Sequence, residues 1–418
     1  MAINNIRAFT RLTDTDLRDL TAELDAVRLD IERSRGECDA RYIRRIIYAQ
    51  RGLEVAGRIL STLSGKRWAW VAGVLTLTLA KIIENMEIGH NVMHGQWDWM
   101  NDPEIHSATW EWDMASLSSH WKQSHNVDHH THTNILGLDA DVGYDLLRVT
   151  PDQRWCCFNI GNLLYNLILA VTFEWGIGTQ AIDLTKLAKS GRARHVTIRQ
   201  IREWSAKARD QVIKDYIAFP TLTSLSPAAT FASTFTANAT ANILRNIWAH
   251  AVIFCGHFPD GAEKFAMADV HDESQGEWYL RQIVGSANFE GGAILRLMSG
   301  NLGHQIEHHL FPDLPSNRLH EISARVKQLC ELYEVPYTTG PFLLQYGRTW
   351  RTIAKLSLPD RWRLPRQGWR RFSARASRRF ADSGGPTRHC GAELTVGDEG
   401  TRVNARRDIL RSSRPANV

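Results

Sequence analysis

Apolar positions in this chain gather in three long runs between strongly polar segments, without the alternation expected of a sheet protein. Charge is absent from 217 to 244, and only Arg245 interrupts 217–258, a stretch long enough for two helices of about 20 residues each to cross a bilayer. A second run, 68–80, continues through Lys81 to Ile88, and a third, 158–178, is broken only by Glu174. A further crossing is expected around 45–63, although Glu54 and Arg58 weaken it. Residues 14–33 read as an exposed amphipathic helix. The expected fold class is all-α, an integral membrane helical bundle with a cytosolic cap.

Histidine placement then changes the picture from architecture to chemistry. Nine histidines and one asparagine fall into four clusters: His90-x3-His94, His125-x3-His129-His130, Asn246-x3-His250 and His304-x3-His308-His309. Two residues four apart on a helix share a face, so both imidazoles can point at one metal, and each doubled histidine supplies a second direction. Imidazole suits iron, copper, zinc and nickel. A compact zinc-hydrolase motif such as His-Glu-x-x-His is absent, and nine candidates are too many for one zinc. The set therefore reads as a two-iron centre assembled by the fold. Asn246 is a poor direct ligand and is expected to hold a water on one iron. Glu87, Asp139, Asp141 and Glu307 are the nearest acceptors for the second ring nitrogens of the ligands. His106, His120, His132, His195, His257, His271, His320 and His389 lie off the spacing, and among these His257, two turns beyond His250, could compete as a ligand.

These residues resemble a known family, the membrane fatty-acid desaturases. GHNVMHGQWDW (89–99), SHWKQSHNVDHHTHTNILGLDADVGY (119–144), NIWAHAVIFCGHFP (246–259) and GHQIEHHLFPDLPSNR (303–318) are similar to its histidine boxes, in order and separation. The likeness is greatest to the bacterial, mycobacterial-type acyl-CoA desaturases and covers roughly 10–358. It implies two iron ions and O2 as co-substrate, with a cis double bond introduced into a long-chain acyl substrate, acyl-CoA of the stearoyl delta-9 type. An acyl or lipid hydroxylase is the alternative within the same superfamily. A metal-binding membrane transporter is the alternative of another class, but it would need ionisable groups inside several crossings.

Electrons for such a reaction must come from outside the chain. There is no Gly-x-Gly-x-x-Gly after a strand, no His-Pro-Gly-Gly haem motif and no cysteine set for an iron–sulfur cluster. NAD(P)H is therefore expected to act through a separate reductase or ferredoxin-like donor. Trp97, Trp99, Trp110, Trp112 and Trp121 crowd the first two boxes and could line an acyl channel or an electron path.

Charge and topology place the site. The mean hydropathy of −0.31 looks soluble only because polar segments dilute the apolar runs. Since the clusters before residue 131 and those after 245 must meet, the chain crosses an even number of times between them. Nine basic residues between Lys186 and Lys214 face only Glu203 and Asp210, so the loop 179–216 is expected on the cytoplasmic side. That makes 217–257 a tight helical hairpin and lays 158–178 in the interface, amphipathic or re-entrant. Six cysteines without Cys-x-x-Cys spacing read as reduced thiols, and no basic segment followed by an apolar one marks a signal peptide. The expectation is a bacterial plasma-membrane protein with its active site on the cytoplasmic face. Lys122, Arg148 and Arg154 are candidates for a substrate head group. Three parts are expected: a cytosolic helical segment (1–50), the desaturase domain (51–358) and a disordered tail (359–418). From 361 onward fourteen arginines face five acids, a surplus of nine, so the rest of the +5 chain sums to about −4. Lipid contact fits this tail better than nucleic acid, which is not expected as a partner.

Overall fold

A computed structural model describes residues 2–180, 182, 192–266 and 273–360. Lys186, Lys189, His271, His389 and the arginine-rich tail therefore lie outside the described residues.

Short α1 (Ile6–Thr10) leads into α2 (Asp14–Ser34), which opens on a reciprocal cap between Thr13 and Asp16. Leu17, Leu20, Leu24, Val27 and Ile31 are buried at spacings of three and four, so one face of this helix packs rather than standing exposed along its whole girth. α3 (Glu37–Ser61) runs through residue 50 without a break. It pairs with α4 (Arg67–Ile82), where Gly57 lets the two backbones approach: a Cβ there would stand 2.6 Å from Leu77. α4 passes directly into a π-helical stretch, Ile83–His90, and on to Met93. α5 (Ser118–Trp121) likewise continues as a π-helix, Lys122–His129, and ends at His132.

The third apolar run forms α6 (Asn162–Val171) and α7 (Phe173–Gln180). The pair bends by 97°, a geometry shared by a broken span and a re-entrant loop. α8 (Arg192–Val212) extends through Ile213–Ala218 to Thr223, and after a turn α9 (Phe231–His257) returns. The hairpin expected within 217–257 thus has its turn at 224–230, and its first arm begins in the basic segment. The tips of the two hairpins meet, Gly65 N–H donating to Ala228 O at 2.8 Å. The remaining helices build the cap: α10 (Gln275–Gly285), α11 (Ala293–Met298), α12 (Gln305–Leu310), α13 (Leu319–Leu332) and α14 (Phe342–Leu356). One departure from all-α is a parallel pair, β1 (Asn288–Glu290) with β2 (Thr339–Pro341), too short for periodicity to announce.

No single described helix is long and apolar enough to cross a membrane by composition. α4 is only 16 residues long, and charges in the bundle's interior add to this. Lys81 pairs with Asp215 at 2.9 Å, Arg58 reaches Asp215 at 3.4 Å, and Arg245 pairs with Glu174 at 2.7 Å, with Lys81, Asp215, Arg245 and Glu174 all buried. These charges lower each helix's average while facing inward. Outward, Val55, Ile59, Trp68, Val71, Leu75, Ile217, Leu222, Phe231 and Phe235 are exposed, an apolar belt around the two hairpins.

Candidate metal centre

The wide turn of a π-helix, bonding i to i+5, changes which side chains share a side. In Lys122–His129 it brings His125 and His129 into a stack with ring centres 5.0 Å apart and keeps His130 at 5.0 Å from His125. The π-stretch Ile83–His90 presents His90, with His94 one turn on at 4.6 Å. α12 brings His308 and His309 in from the cap. Its approach depends on Gly300, whose φ is +68° and whose Cβ would stand 2.2 Å from Met86 O.

Two buried groups result. Ring nitrogens of His90, His94, His125 and His308 lie within 4.8 Å of one another, and so do those of His129, His257 and His309. His130 lies between them, its ring 4.8 Å from His94 and stacked 4.4 Å from His309. A nitrogen on each of His94, His125, His129, His257, His308 and His309, and both on His130, is buried with no hydrogen-bond partner. Buried polar atoms are nearly always satisfied, so orphans converging from four segments fit metal ligation far better than an apolar core.

The outward nitrogens have acceptors. His129 Nδ1 lies 3.0 Å from Asp139, and His125 Nδ1 lies 3.4 Å from Asp141, which Gln180 also contacts. Asp141 meets the Nδ1 side of both rings, 3.4 Å from His125 and 3.5 Å from His129, and with them forms a third group whose atoms lie within 4.8 Å of one another. Burial works against charge on His129, but Asp139 and Asp141 outweigh it and push its pKa up to about 9. Metal uptake at Nε2 must therefore displace a proton. Asp139→Asn is expected to weaken iron affinity 10- to 100-fold, read from an iron titration of the purified protein. Unchanged affinity would remove Asp139 from this role.

Several placements differ from the sequence expectation. His250 stands apart from both groups, hydrogen-bonded to Asn166 (3.1 Å) and Tyr346 (3.0 Å) and stacked on Phe254. Asn246, one turn earlier, bonds Val171 O and the Glu174 N–H, so it too faces the α6–α7 break. The place expected for His250 is taken by His257, seven residues further along the same helix, because α9 continues straight to residue 257 at the cap. His304 is likewise outside the groups, its ring beside His320 at 5.3 Å. Glu87 serves the scaffold, accepting from Tyr42, Ser316 and Asn301. Glu307 accepts from Asn288 and Tyr337, tying α12 to β1. Neither touches a ring nitrogen of the groups.

Arg148, a candidate for substrate phosphate, is buried and spent on Asp360, Gln153 O and Pro151 O. Lys122 Nζ donates to Ser107 O at 2.6 Å, while Arg154 is exposed. Three positioning residues escaped the sequence reading. Gln282 Oε1 and Thr133 Oγ1 lie 3.2 Å from His309 Nδ1, and the Gln305 amide lies 3.1 Å from His257 Nε2. Gln305 carried a signal, three residues before His308 in the fourth cluster; Gln282 and Thr133 carried none. A cavity abuts the first group, with His90 and His125 on its inner wall and Met86, Tyr144, Phe173, Ile177 and Ile253 around it.

A sequence model of the family described as fatty acid desaturase matches residues 67–341. The chain is 63% identical over 362 residues to an NADPH-dependent stearoyl-CoA 9-desaturase of Mycobacterium tuberculosis, covering 87% of this chain and 85% of that one. It is 22% identical over 275 residues to an sn-1 linoleoyl-lipid 6-desaturase of Synechocystis (64% and 75%), and 22% identical over 253 residues to human fatty acid desaturase 3 (58% and 51%).

Proposed function

This chain belongs to the fatty acid desaturase family of oxidoreductases, and from that premise we propose that it is an acyl-CoA desaturase that converts a saturated C–C bond of a stearoyl-type chain into a cis double bond. The observation that carries this reading is the convergence of partnerless imidazole nitrogens into two adjacent buried groups. The identity to a stearoyl-CoA 9-desaturase supports the substrate class and the position of the double bond.

In this reading His90, His94, His125 and His308 hold one iron, His129, His257 and His309 the other, and His130 lies within reach of both. Two irons, when bound, supply with O2 the oxidising power that no side chain has, and neutral imidazoles hold them without adding negative charge. Two hydrogens leave adjacent carbons, an external carrier supplies two electrons and solvent two protons, and O2 ends as two waters. Residues of the chain do the positioning. Asp139 accepts at His129 Nδ1 and Asp141 at His125 Nδ1, which commits the opposite nitrogens to metal. Gln282 and Thr133 hold His309 in the same way. Met86, Phe173, Ile177 and Ile253 form the apolar part of a small cavity that would set the reacting segment of an acyl chain beside His90 and His125.

The two hairpins, with their outward apolar belt, are read as the membrane-embedded part, and α6–α7 as a re-entrant segment beside it. The cap and the histidines then face the cytoplasm, with their electrons drawn from NADPH through a separate protein. The bundle's buried ion pairs are compatible with a bilayer because each charge has a partner inside the protein.

Incubating the iron-loaded protein with stearoyl-CoA, O2 and a reducing system should give a product two mass units lighter, with the double bond located chemically at carbon 9. A product sixteen units heavier would mean hydroxylation and overturn the desaturase reading.

A further inference from the structure

One charged surface has no role in this scheme, and it meets a pair of aromatic rings, Trp112 and Trp121, that stand in the wall of the cavity and also reach outward from it. α8 exposes Arg192, Arg194, Arg199, Arg202 and Arg209, against Glu203 and Asp210 on the same helix. The helix is seated directly on the loop that precedes the second cluster. Lys207 Nζ donates to Trp112 O at 2.9 Å and pairs with Glu111 at 3.0 Å, and Glu203 reaches His120 Nε2 at 3.4 Å. Beneath it, the Trp112 ring lies 5.3 Å from Trp121, and Trp121 stacks on His125 at 4.4 Å with an interplanar angle of 23°. Trp121 also meets the edges of His90 and His94 at 5.2 and 5.3 Å. Both tryptophans are buried.

Resting on the desaturase reading, we infer that the basic face of α8 docks an acidic one-electron carrier protein, and that Trp112 and Trp121 conduct its electrons to the His90–His94–His125–His308 group. NADPH gives electrons as a hydride pair while each metal ion accepts one at a time, so a flavin or iron–sulfur carrier must stand between them. Tunnelling falls exponentially with distance, which requires such a carrier to sit over the shortest route of closely packed π-systems. No bond in this chain forms or breaks: the carrier is oxidised, the metal reduced, and the rings only bridge the gap. Opposed charge raises the encounter rate 10- to 1,000-fold and makes it fall steeply with salt.

An anionic bilayer is the competing occupant for any basic helix. Geometry favours the carrier. α8 runs without a break into Ile213–Ala218 and Phe219–Thr223, an arm of the bundle, and its Lys207 and Glu203 are packed on the loop that carries Trp112 and His120, so its basic residues stand over the aromatic pair.

The test uses full-length, iron-loaded protein and an Arg199→Glu/Arg202→Glu variant, neither position touching the metal groups or the cavity. A reduced plant-type [2Fe–2S] ferredoxin serves as the acidic carrier, and dithionite with methyl viologen as a small reductant. In stopped flow, the ferredoxin should reduce the wild-type centre with a rate that falls with ionic strength. The variant's rate should be at least tenfold lower at low salt, with equal rates for dithionite in both. Ferredoxin binding to the metal-free proteins should weaken by a similar factor. Trp112→Leu should slow reduction at saturating ferredoxin without changing that binding, and Trp112→Phe should restore most of the rate. Equal ferredoxin rates in wild type and variant would overturn the inference. So would a wild-type centre that dithionite reduces and ferredoxin does not, or a variant that loses only its binding to vesicles containing anionic lipid. A protein with no iron for dithionite to reduce would instead overturn the desaturase reading itself.

Discussion

Replacing His129 or His308 by alanine is expected to reduce stearoyl-CoA turnover by more than 1,000-fold and to lower bound iron from about two per chain to about one or less, equivalent to more than about 4 kcal/mol of lost transition-state stabilisation. Each side chain stands in a different histidine group, fully buried, with a ring nitrogen that no protein atom satisfies. Removing one imidazole therefore takes a ligand from a group of three or four and gives the metal nothing in exchange. The fold should persist, because the two helical segments are held by other contacts: Arg281 to the Thr131 and Thr133 carbonyls, and Asn288 to the Ile306 N–H and the Glu307 carboxylate. Iron content by plasma emission spectrometry and melting temperature, measured together, separate ligand loss from unfolding. Full turnover by either variant would remove the assignment.

The second large effect is a contrast on one helix. His257→Ala should lose iron and activity as His129→Ala does. His250→Ala should keep its iron and lose mainly stability, by about 2–4 kcal/mol. His250 fills a packed interior, stacked on Phe254 and bonded to Asn166 and Tyr346, so truncation leaves a cavity and two unsatisfied partners. His257 lies 4.8 Å from His129 and 4.9 Å from His309, ring centre to ring centre. Metal content of the two variants under identical loading decides between them. Iron lost from His250→Ala but retained by His257→Ala would reinstate the sequence-based ligand set.

His257, and not His250, stands beside the other rings, a placement that spacing alone does not reveal. Spacing of four after Asn246 makes His250 look like the other pairs, and helical periodicity alone cannot tell one face of α9 from another when most of the helix is buried. The choice depends on how far along its axis the helix meets the cap. Glu87 and Glu307 illustrate the same limit: each is adjacent in sequence to a histidine cluster, but the fold turns its carboxylate to Tyr42 and Ser316, or to Asn288 and Tyr337. Arg148, plausible as a phosphate contact by charge, is buried against backbone carbonyls. Asp139 and Asp141 were legible because they lie within the same short turn-rich loop as the rings they orient, so few conformations separate sequence neighbour from spatial neighbour.

By itself the sequence determined the helical class, the three apolar runs and the family, and of the nine histidines it grouped, all but His250 and His304 come together in the fold, since i, i+4 spacing and doubled histidines are local features that survive any packing of helices that keeps them helical. Only the tertiary structure decided how that set divides into two groups, which nitrogen of His125 and His129 faces inward, that His257, Gln305, Gln282 and Thr133 join them, and that the charges of Arg58, Lys81, Asp215 and Arg245 pair inside the bundle. Each of these depends on the axial offset and rotation of helices distant in sequence, quantities set by close packing at contacts such as Gly57 with Leu77 and Gly300 with Met86, which a one-dimensional pattern does not contain.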